Sequence, residues 1–172
     1  MLQQIIDFLV NFYQAIFPFF VVDAYQNAVV LRLGKFNRKV TPGFHWKWPV
    51  IEDVITEIIA TTTLNGDFQS LTTRDGKNIV VRSVTKYHVA DVEIFTIKVT
   101  DALDALGDII LGETKKIIIS RTWEECRSEL LDNEITKSVR REAKKWGVDV
   151  DSVTITDLAL MRSIRLLQAQ II

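Results

Sequence analysis

The chain has 172 residues with 21 basic and 22 acidic side chains, which gives a net charge of −1 at neutral pH. This balance excludes a protein dominated by a basic nucleic-acid-binding face, so we expect no nucleic-acid partner. The single cysteine, Cys126, excludes an internal disulfide framework and a cysteine-based zinc site. The length predicts one domain of ordinary size behind a short N-terminal segment.

Residues 1–22 predict a membrane anchor. The segment is apolar except for five polar side chains, which share an arc of about 100° on a helical wheel, so the segment is amphipathic. It has no Lys, no Arg and no small-residue cleavage site, so we expect it to remain on the mature protein. The residues expected to contact the membrane here are Leu2, Ile5, Ile6, Leu9, Phe12, Tyr13, Ile16, Phe17, Phe19 and Phe20.

Two modes of membrane attachment fit this anchor. Residues 2–17 would rise about 24 Å as a helix, which is short of the ~30 Å hydrocarbon core, and Pro18 disfavours continuation. We therefore favour an in-plane or shallow hairpin anchor over a tilted, kinked span whose polar stripes pack together in an oligomer. A helix docked on a soluble core is the third alternative.

Residues 29–49 combine a strand, a basic turn and an aromatic extended segment. After a Pro-Gly corner, Phe44, Trp46 and Trp48 alternate with polar residues, so the aromatic rings share one side. Alternation alone is equally typical of an edge strand whose aromatics complete the core. The neighbouring anchor favours a membrane-facing edge with basic side chains near the lipid headgroups. These side chains are Lys35, Arg38, Lys39 and Lys47.

The next segments predict an antiparallel sheet. A β-branched run, residues 54–64, is typical of a strand. Residues 68–72 and 78–89 flank an Asp-Gly turn, which predicts a hairpin. In the second strand of this hairpin apolar and polar side chains alternate, so one face is expected to be packed and the other to be wetter.

The helical period begins after this hairpin. Residues 91–99 predict a short helix capped by Asp91, and residues 101–120 predict a longer helix with one apolar face. Gly107 and Gly112 weaken the pattern of the longer helix without changing its period.

Two further helices precede the last predicted strand. Thr122 and Glu125 fit a capping box that begins a short helix. Asp132 is the predicted cap of the next helix, and Gly147 is its predicted end. Residues 148–155 alternate as a strand, which completes the domain predicted for residues 23–157. Residues 158–172 predict the start of an oligomerisation helix with a heptad-like seam formed by Ile164, Leu167 and Ile171.

The sequence predicts no catalytic or metal site. His45 and His88 lie on predicted strands without a local carboxylate or metal-ligand spacing, and the seven glycines form no dinucleotide or phosphate-binding motif. Cys126 is expected to be a small buried hydrophobe, and its pairing with a distant histidine as a nucleophile is the enzymatic alternative. We therefore expect a non-enzymatic protein without a cofactor.

Several motifs occur in the order and spacing of a known family. They are Arg32-Leu-Gly-Lys35 followed by Pro42-Gly-Phe-His-Trp-Lys-Trp-Pro49, then Thr72-Thr-Arg-Asp-Gly-Lys77, then Trp146-Gly-Val-Asp-Val-Asp-Ser-Val-Thr-Ile-Thr-Asp157. Together these motifs resemble the SPFH superfamily, or band-seven proteins, which covers stomatins, prohibitins, flotillins and paired bacterial regulators of a membrane AAA protease. The resemblance spans residues 21–170. It implies an α+β fold, with an antiparallel sheet and several packed helices.

The resemblance also implies a function. We expect a membrane-associated scaffold that binds lipids and forms a homo-oligomer of many copies, a ring or a cage, to organise membrane proteins or lipids. The alternative is a regulator of a membrane AAA protease or channel that co-assembles with longer SPFH relatives. Relatives continue into a long coiled coil, whereas this chain ends at Ile172, so we expect a shortened chain or a natural short form that assembles by lateral packing.

The distribution of basic residues predicts the side of the membrane. Lys and Arg are absent before Arg32 and frequent just after it. Basic segments next to a membrane anchor are enriched on the cytoplasmic side, so the domain is expected there.

Overall fold

The computed structural model describes residues 3, 4, 6, 18–128 and 130–161, and these form an α+β fold, as the sequence predicted. The strands are β1 (Phe19–Val22), β2 (Gln26–Arg32), β3 (Lys35–Val40), β4 (Gly43–Trp46), β5 (Glu52–Ile58), β6 (Thr62–Asn65), β7 (Gln69–Thr72), β8 (Asn78–Val89) and β9 (Val148–Leu160). The helices are a π-helix (Ile94–Lys98), α1 (Ala102–Ile119), α2 (Trp123–Cys126), α3 (Leu130–Ala143) and a 3-10 helix (Lys144–Trp146). The chain divides into two compact units.

The first unit comprises the described residues up to Thr62, with His88–Ala102 and Lys144–Asp149. In this unit β2 lies between β3 and β5, and β1 pairs with β4, all in antiparallel fashion. Strand alternation directs every second side chain to the same face of a sheet, and apolar residues there form the core. The buried members are Val22, Ala28, Val30 and Val40, with Phe20 and Val54 packed against them.

The predicted basic turn is wrong, because residues 35–40 form strand β3. Arg32 pairs with Lys35, so the hairpin loop between β2 and β3 is only Leu33 and Gly34. Both loop residues have positive φ, 50° and 76°, which is the backbone of the tight turns that suit the twist of paired strands. Leucine is uncommon in this conformation, so the sequence carried no ordinary hairpin signal.

The predicted strand over residues 54–64 is divided between two sheets. β5 pairs with β2, whereas β6 pairs with β8. The chain leaves the first sheet after Ile58, where the Ile59 amide donates to the Tyr25 carbonyl at 2.9 Å. The β-branched composition continues through this change of partner strand, so composition alone predicts one continuous strand.

The second unit comprises Thr63–Tyr87, Leu103–Ala143 and the described residues from Val150. The predicted hairpin is confirmed, because Thr72 pairs with Asn78 and Leu71 pairs with Ile79. The predicted alternation along β8 is also confirmed. Its buried apolar side chains include Ile79, Val81 and Tyr87.

Helix α1 confirms the prediction for residues 101–120 and passes through both of its glycines. The capping box of α2 is also confirmed, with Thr122 and Glu125 each bonded to the other's backbone amide. Helix α3 instead begins at Leu130, two residues before its predicted cap. Asp132 therefore lies in the first turn, where its carboxylate accepts from the Ile155 amide at 3.2 Å.

The remaining predicted boundaries concern Asp91, Gly147 and the last strand. Asp91 caps the short helix as predicted, because its carboxylate accepts from the amides of Glu93 at 3.0 Å and Ile94 at 3.3 Å. Gly147 follows the 3-10 helix with φ 78°, in the left-handed region that favours glycine. β9 extends to Leu160, so the strand continues past residue 158, the predicted start of the oligomerisation helix.

Candidate membrane-contact surface

The aromatic residues of β4 are placed by a two-stranded antiparallel ribbon. In the register of β1 and β4, Phe19 lies opposite Trp46 and Val21 lies opposite Phe44. Opposite residues of paired strands project to the same face, so the ribbon carries aromatic rings from both strands on one side. The Lys47 amide extends the ribbon by donating to the Pro18 carbonyl at 2.7 Å.

We call Phe19, Phe44, Trp46 and Trp48 the aromatic edge. The Phe19 ring stacks on Phe44 and meets Trp46 edge to face, with centroids 4.9 Å apart in both pairs. Trp46 and Trp48 also meet edge to face, at 6.4 Å. Yet Phe44 is 65% exposed, Trp46 49% and Trp48 53%. The interpretation that these aromatics complete the core is therefore wrong.

Phe20 differs from its neighbour Phe19. Both are predicted membrane-contact residues, and that prediction is wrong for Phe20, which packs against the buried core of the first unit. It lies opposite His45 and its ring is 5.6 Å from the imidazole. The physical reason is the alternation of side chains along β1, which directs adjacent residues to opposite faces.

A buried carboxylate holds the aromatic edge against β2 and β3. Glu52 begins β5 with a fully buried side chain that accepts hydrogen bonds from Arg32, Asn37 and Arg38, at 2.8–3.2 Å. It also accepts from the Trp48 amide at 3.0 Å. Arg38 in turn donates to the Trp46 carbonyl at 2.7 Å. The backbone of both tryptophans is thereby tied to one ion cluster.

This cluster keeps Glu52 ionised. Burial by itself would raise the pKa of the carboxyl, but hydrogen bonds from Arg38, the Trp48 amide and Arg32 outweigh it and lower the pKa to about 2. No local sequence pattern indicates the role of Glu52. The cross-strand pairing of Arg32 with Glu52 would have indicated it once β2 and β5 were aligned.

The four predicted headgroup-binding residues fall into two classes. Arg38 forms an ion pair with Glu52 at 3.0 Å, and Lys39 forms ion pairs with Asp91 at 2.8 Å and Glu93 at 3.2 Å. One carboxylate therefore pairs with Arg38 and two pair with Lys39 within the fold. Among the described residues Lys35 and Lys47 form no ion pair, so these two lysines keep their charge available.

Two exposed apolar residues lie next to the aromatic edge, and the sequence patterns did not indicate them. Leu33 is 75% exposed and Val50 is 90% exposed, and both have positive φ, at 50° and 71°. The turns that carry them meet, because the Leu33 amide donates to the Ile51 carbonyl at 2.9 Å. A β-branched residue at positive φ is strained, and no sequence pattern predicts it.

The enzymatic alternative would use Cys126 with a histidine, and a metal site would need a cluster of ligand side chains. No group of three or more His, Cys, Asp or Glu side chains within them is placed to hold a metal ion. Cys126 is buried, as predicted, and burial raises the pKa of its thiol, which keeps it in the unreactive protonated form. The His45 ring Nε2 lies 2.8 Å from the Thr41 carbonyl, a hydrogen bond within the turn before β4.

Most of the predicted anchor lies outside the described residues. Ile6 is described, in a helical conformation and 46% exposed. Within the described part of the chain, no helix combines the length and apolar character needed to cross a membrane. The predicted contact residues outside it are Leu2, Ile5, Leu9, Phe12, Tyr13, Ile16 and Phe17, and the predicted seam residues outside it are Ile164, Leu167 and Ile171.

Comparison with known proteins identifies relatives. A stomatin homolog of Pyrococcus horikoshii is 25% identical over 142 residues, which are 81% of this chain and 53% of that protein. Stomatin-1 of Caenorhabditis elegans is 26% identical over 143 residues, 81% of this chain and 43% of that protein. Protein HflK of Vibrio cholerae is 33% identical over 89 residues, 51% of this chain and 22% of that protein.

The chain thus spans about half the length of the two stomatin relatives, and a smaller part of HflK. Residues 20–166 match the SPFH domain / Band 7 family, a range that begins in β1 and continues beyond β9. The match includes the aromatic residues of β4, Glu52 and both compact units. The chain therefore belongs to the SPFH domain / Band 7 family.

Proposed function

We propose that this protein is a non-enzymatic membrane scaffold that contacts lipid through its aromatic edge and assembles laterally with further copies. The exposed aromatic edge is the observation that carries the proposal. Contiguous exposed apolar surface marks an interaction site, and indole rings with one polar N–H are favoured at the boundary between headgroups and acyl chains. The predicted anchor enters the fold at the same place, because Pro18 is bonded to the residue between the two tryptophans.

Charge near the edge supports contact with an anionic surface. Lys47 lies between Trp46 and Trp48 in the chain and Lys35 begins β3, and neither lysine forms an ion pair with a described acidic side chain. A lysine near an anionic membrane surface contributes about 1 kcal/mol of attraction. Since such segments are enriched on the cytoplasmic face, we propose that the domain lies on that side.

Sedimentation with anionic lipid vesicles tests the membrane contact. We expect the full chain to bind, and the double substitution Trp46→Ala and Trp48→Ala to weaken binding at least about tenfold, since burying a large apolar side chain contributes about 1.5–3 kcal/mol. Phe68→Ala is the matched control, because Phe68 is 63% exposed in the other unit. Circular dichroism should show that both variants retain the fold.

Two results would contradict this part of the proposal. If the double variant sediments with vesicles as strongly as the wild-type chain, the aromatic edge is not the membrane contact. If it unfolds, the tryptophans act mainly by stabilising the fold. Analytical ultracentrifugation in mild detergent tests the lateral assembly, and a monomer would contradict it.

A second candidate function is regulation of a membrane protease or channel by co-assembly with a longer relative. Membership of the SPFH domain / Band 7 family supports it, because the SPFH superfamily includes paired bacterial regulators of a membrane AAA protease. Affinity purification from native membranes separates the two functions. A scaffold should recover mainly further copies of itself, whereas a regulator should recover a stoichiometric partner.

A further inference from the structure

An open groove lies in the second unit between the first half of α1 and the connection from β6 to β7. Its volume is about 460 Å³. Leu103, Gly107 and Leu111 contribute apolar surface from α1, and Leu103 is 47% exposed. The groove is therefore an apolar surface that no part of the described chain covers.

The rim of this groove is acidic. Asp67, Asp104 and Asp108 line it, and the lining includes no Lys or Arg. All three carboxylates are exposed and none forms an ion pair with another described residue. An occupant with matching chemistry would combine apolar side chains with positive charge and carry no acidic group.

Residues 162–172 of this chain have that chemistry. Their sequence is Arg-Ser-Ile-Arg-Leu-Leu-Gln-Ala-Gln-Ile-Ile, with two arginines, no Asp or Glu, and branched apolar residues over most of the rest. The segment includes Ile164, Leu167 and Ile171, which the sequence had indicated as an oligomerisation seam.

The direction of β9 favours a neighbouring copy as the source of this segment. Thr156 contacts the Arg82 carbonyl and the Met161 amide donates to the Asn78 carbonyl, so β9 runs towards the beginning of β8. The groove lies farther along β8, because Gly66 in its lining donates to the carbonyl of Ser83, in the middle of that strand. Asn78 and Ser83 are about 17 Å apart at ~3.3 Å per residue, so the described end of β9 lies about that far along the strand direction from the groove of its own chain.

We propose that the groove of α1 binds residues 162–172 of a neighbouring copy, with Arg162 and Arg165 facing the acidic rim and apolar side chains on its floor. The inference rests on the proposed self-assembly and adds the surface through which copies meet. Each copy offers one groove and one segment, so the contact is head to tail and joins copies into a row or a closed ring.

Photo-crosslinking in the full chain tests the contact. A benzophenone amino acid replaces Leu103, the detergent-extracted protein is irradiated, and the crosslinked peptides are sequenced by mass spectrometry. We expect a band of twice the chain mass whose crosslink maps to residues 162–172. A crosslink within one chain, to another region, to a different protein, or no crosslink at all would overturn the inference.

Two glycines of the same helix provide a matched pair of variants. A Cβ at Gly107 or at Gly112 would meet nothing within 4 Å, so both helical sites accept a larger residue. Gly107 lines the groove and Gly112 does not. Gly107→Leu should reduce the crosslink at least tenfold, whereas Gly112→Leu should leave it unchanged. Equal effects of the two substitutions would overturn the proposed site.

A charge exchange completes the test. Asp104→Arg with Asp108→Arg should reduce the crosslink at least tenfold, and adding Arg162→Glu with Arg165→Glu should restore most of it. Failure of the restoration would contradict the pairing of these groups. Ultracentrifugation of the wild-type chain separates the two proposals: oligomers without the crosslink overturn only this contact, whereas a monomer overturns the proposed assembly as well.

Discussion

Glu52 links the charged and aromatic parts of the first unit. Its carboxylate is buried and accepts hydrogen bonds from two arginines, an asparagine and the Trp48 amide. A buried carboxylate is stable in the charged form only when its oxygens are this well satisfied. Glu52 therefore orders the backbone from which both tryptophans project. Its own side chain is buried, whereas their rings are exposed.

Replacing Glu52 tests this role. Glu52→Gln should lower the free energy of unfolding by about 2 kcal/mol, because two guanidinium groups lose the buried counter-charge that they share. Asp53→Asn is the control, since Asp53 is the exposed neighbour and should change stability by less than about 0.5 kcal/mol. Urea unfolding at neutral pH measures both variants. Equal stability of the wild-type chain and Glu52→Gln would contradict the structural role of the cluster.

The same carboxylate predicts a pH dependence. Its pKa is about 2 in the fold against an ordinary 4.5, so its contribution is complete above the higher value and is lost as pH falls towards the lower one. The stability difference between the wild-type chain and Glu52→Gln should therefore shrink between about pH 5 and pH 2. Urea unfolding across this range measures the difference. A difference that is independent of pH would show that Glu52 is not ionised in the fold.

Val50 is a strained residue at the tip of the turn before β5. Because its φ of 71° is unfavourable for a β-branched side chain, Val50→Gly should raise the free energy of unfolding by about 1 kcal/mol. Val21→Gly is the control, because Val21 is also exposed but lies in β1, where glycine should destabilise by about 0.5–1 kcal/mol. Thermal unfolding measures both. Destabilisation by Val50→Gly would mean that the valine side chain supports the turn.

At the scale of elements, alternation and capping residues predicted most of the fold. The hairpin of β7 and β8, helix α1 and the capping box of α2 follow from local signals that depend on few residues. Local signals did not predict the β2–β3 hairpin or the division between β5 and β6. A Leu-Gly turn and a change of sheet depend on tertiary partners. In the candidate surface, alternation placed the aromatic rings, but their exposure required the structure.

The glycines of the helical region differ in what they tolerate. A Cβ on Gly147 would lie 2.5 Å from the Asp91 carbonyl oxygen and its φ is positive, so Gly147→Ala should destabilise by about 2 kcal/mol or more. Gly112→Ala has open space in α1 and should stabilise by up to about 1 kcal/mol. Thermal unfolding compares the two variants, and effects of the same sign would contradict this distinction.

At the scale of the whole molecule, the proposed scaffold combines two surfaces with different chemistry. The aromatic edge is apolar with free lysines beside it and suits an anionic bilayer. The groove of α1 is apolar with free carboxylates beside it and suits a basic segment of another copy. The two surfaces consist of different residues, so substitutions can disrupt attachment to the membrane and lateral assembly independently.

Fluorescence quenching tests the contact of the aromatic edge with lipid most directly. The chain has four tryptophans, so Trp123→Phe with Trp146→Phe leaves only those at positions 46 and 48 as emitters. On anionic vesicles we predict a blue-shifted emission that is quenched by lipids brominated near the headgroup and protected from aqueous acrylamide. Emission that stays accessible to acrylamide and insensitive to brominated lipid, while the protein remains bound to the vesicles, would contradict the account.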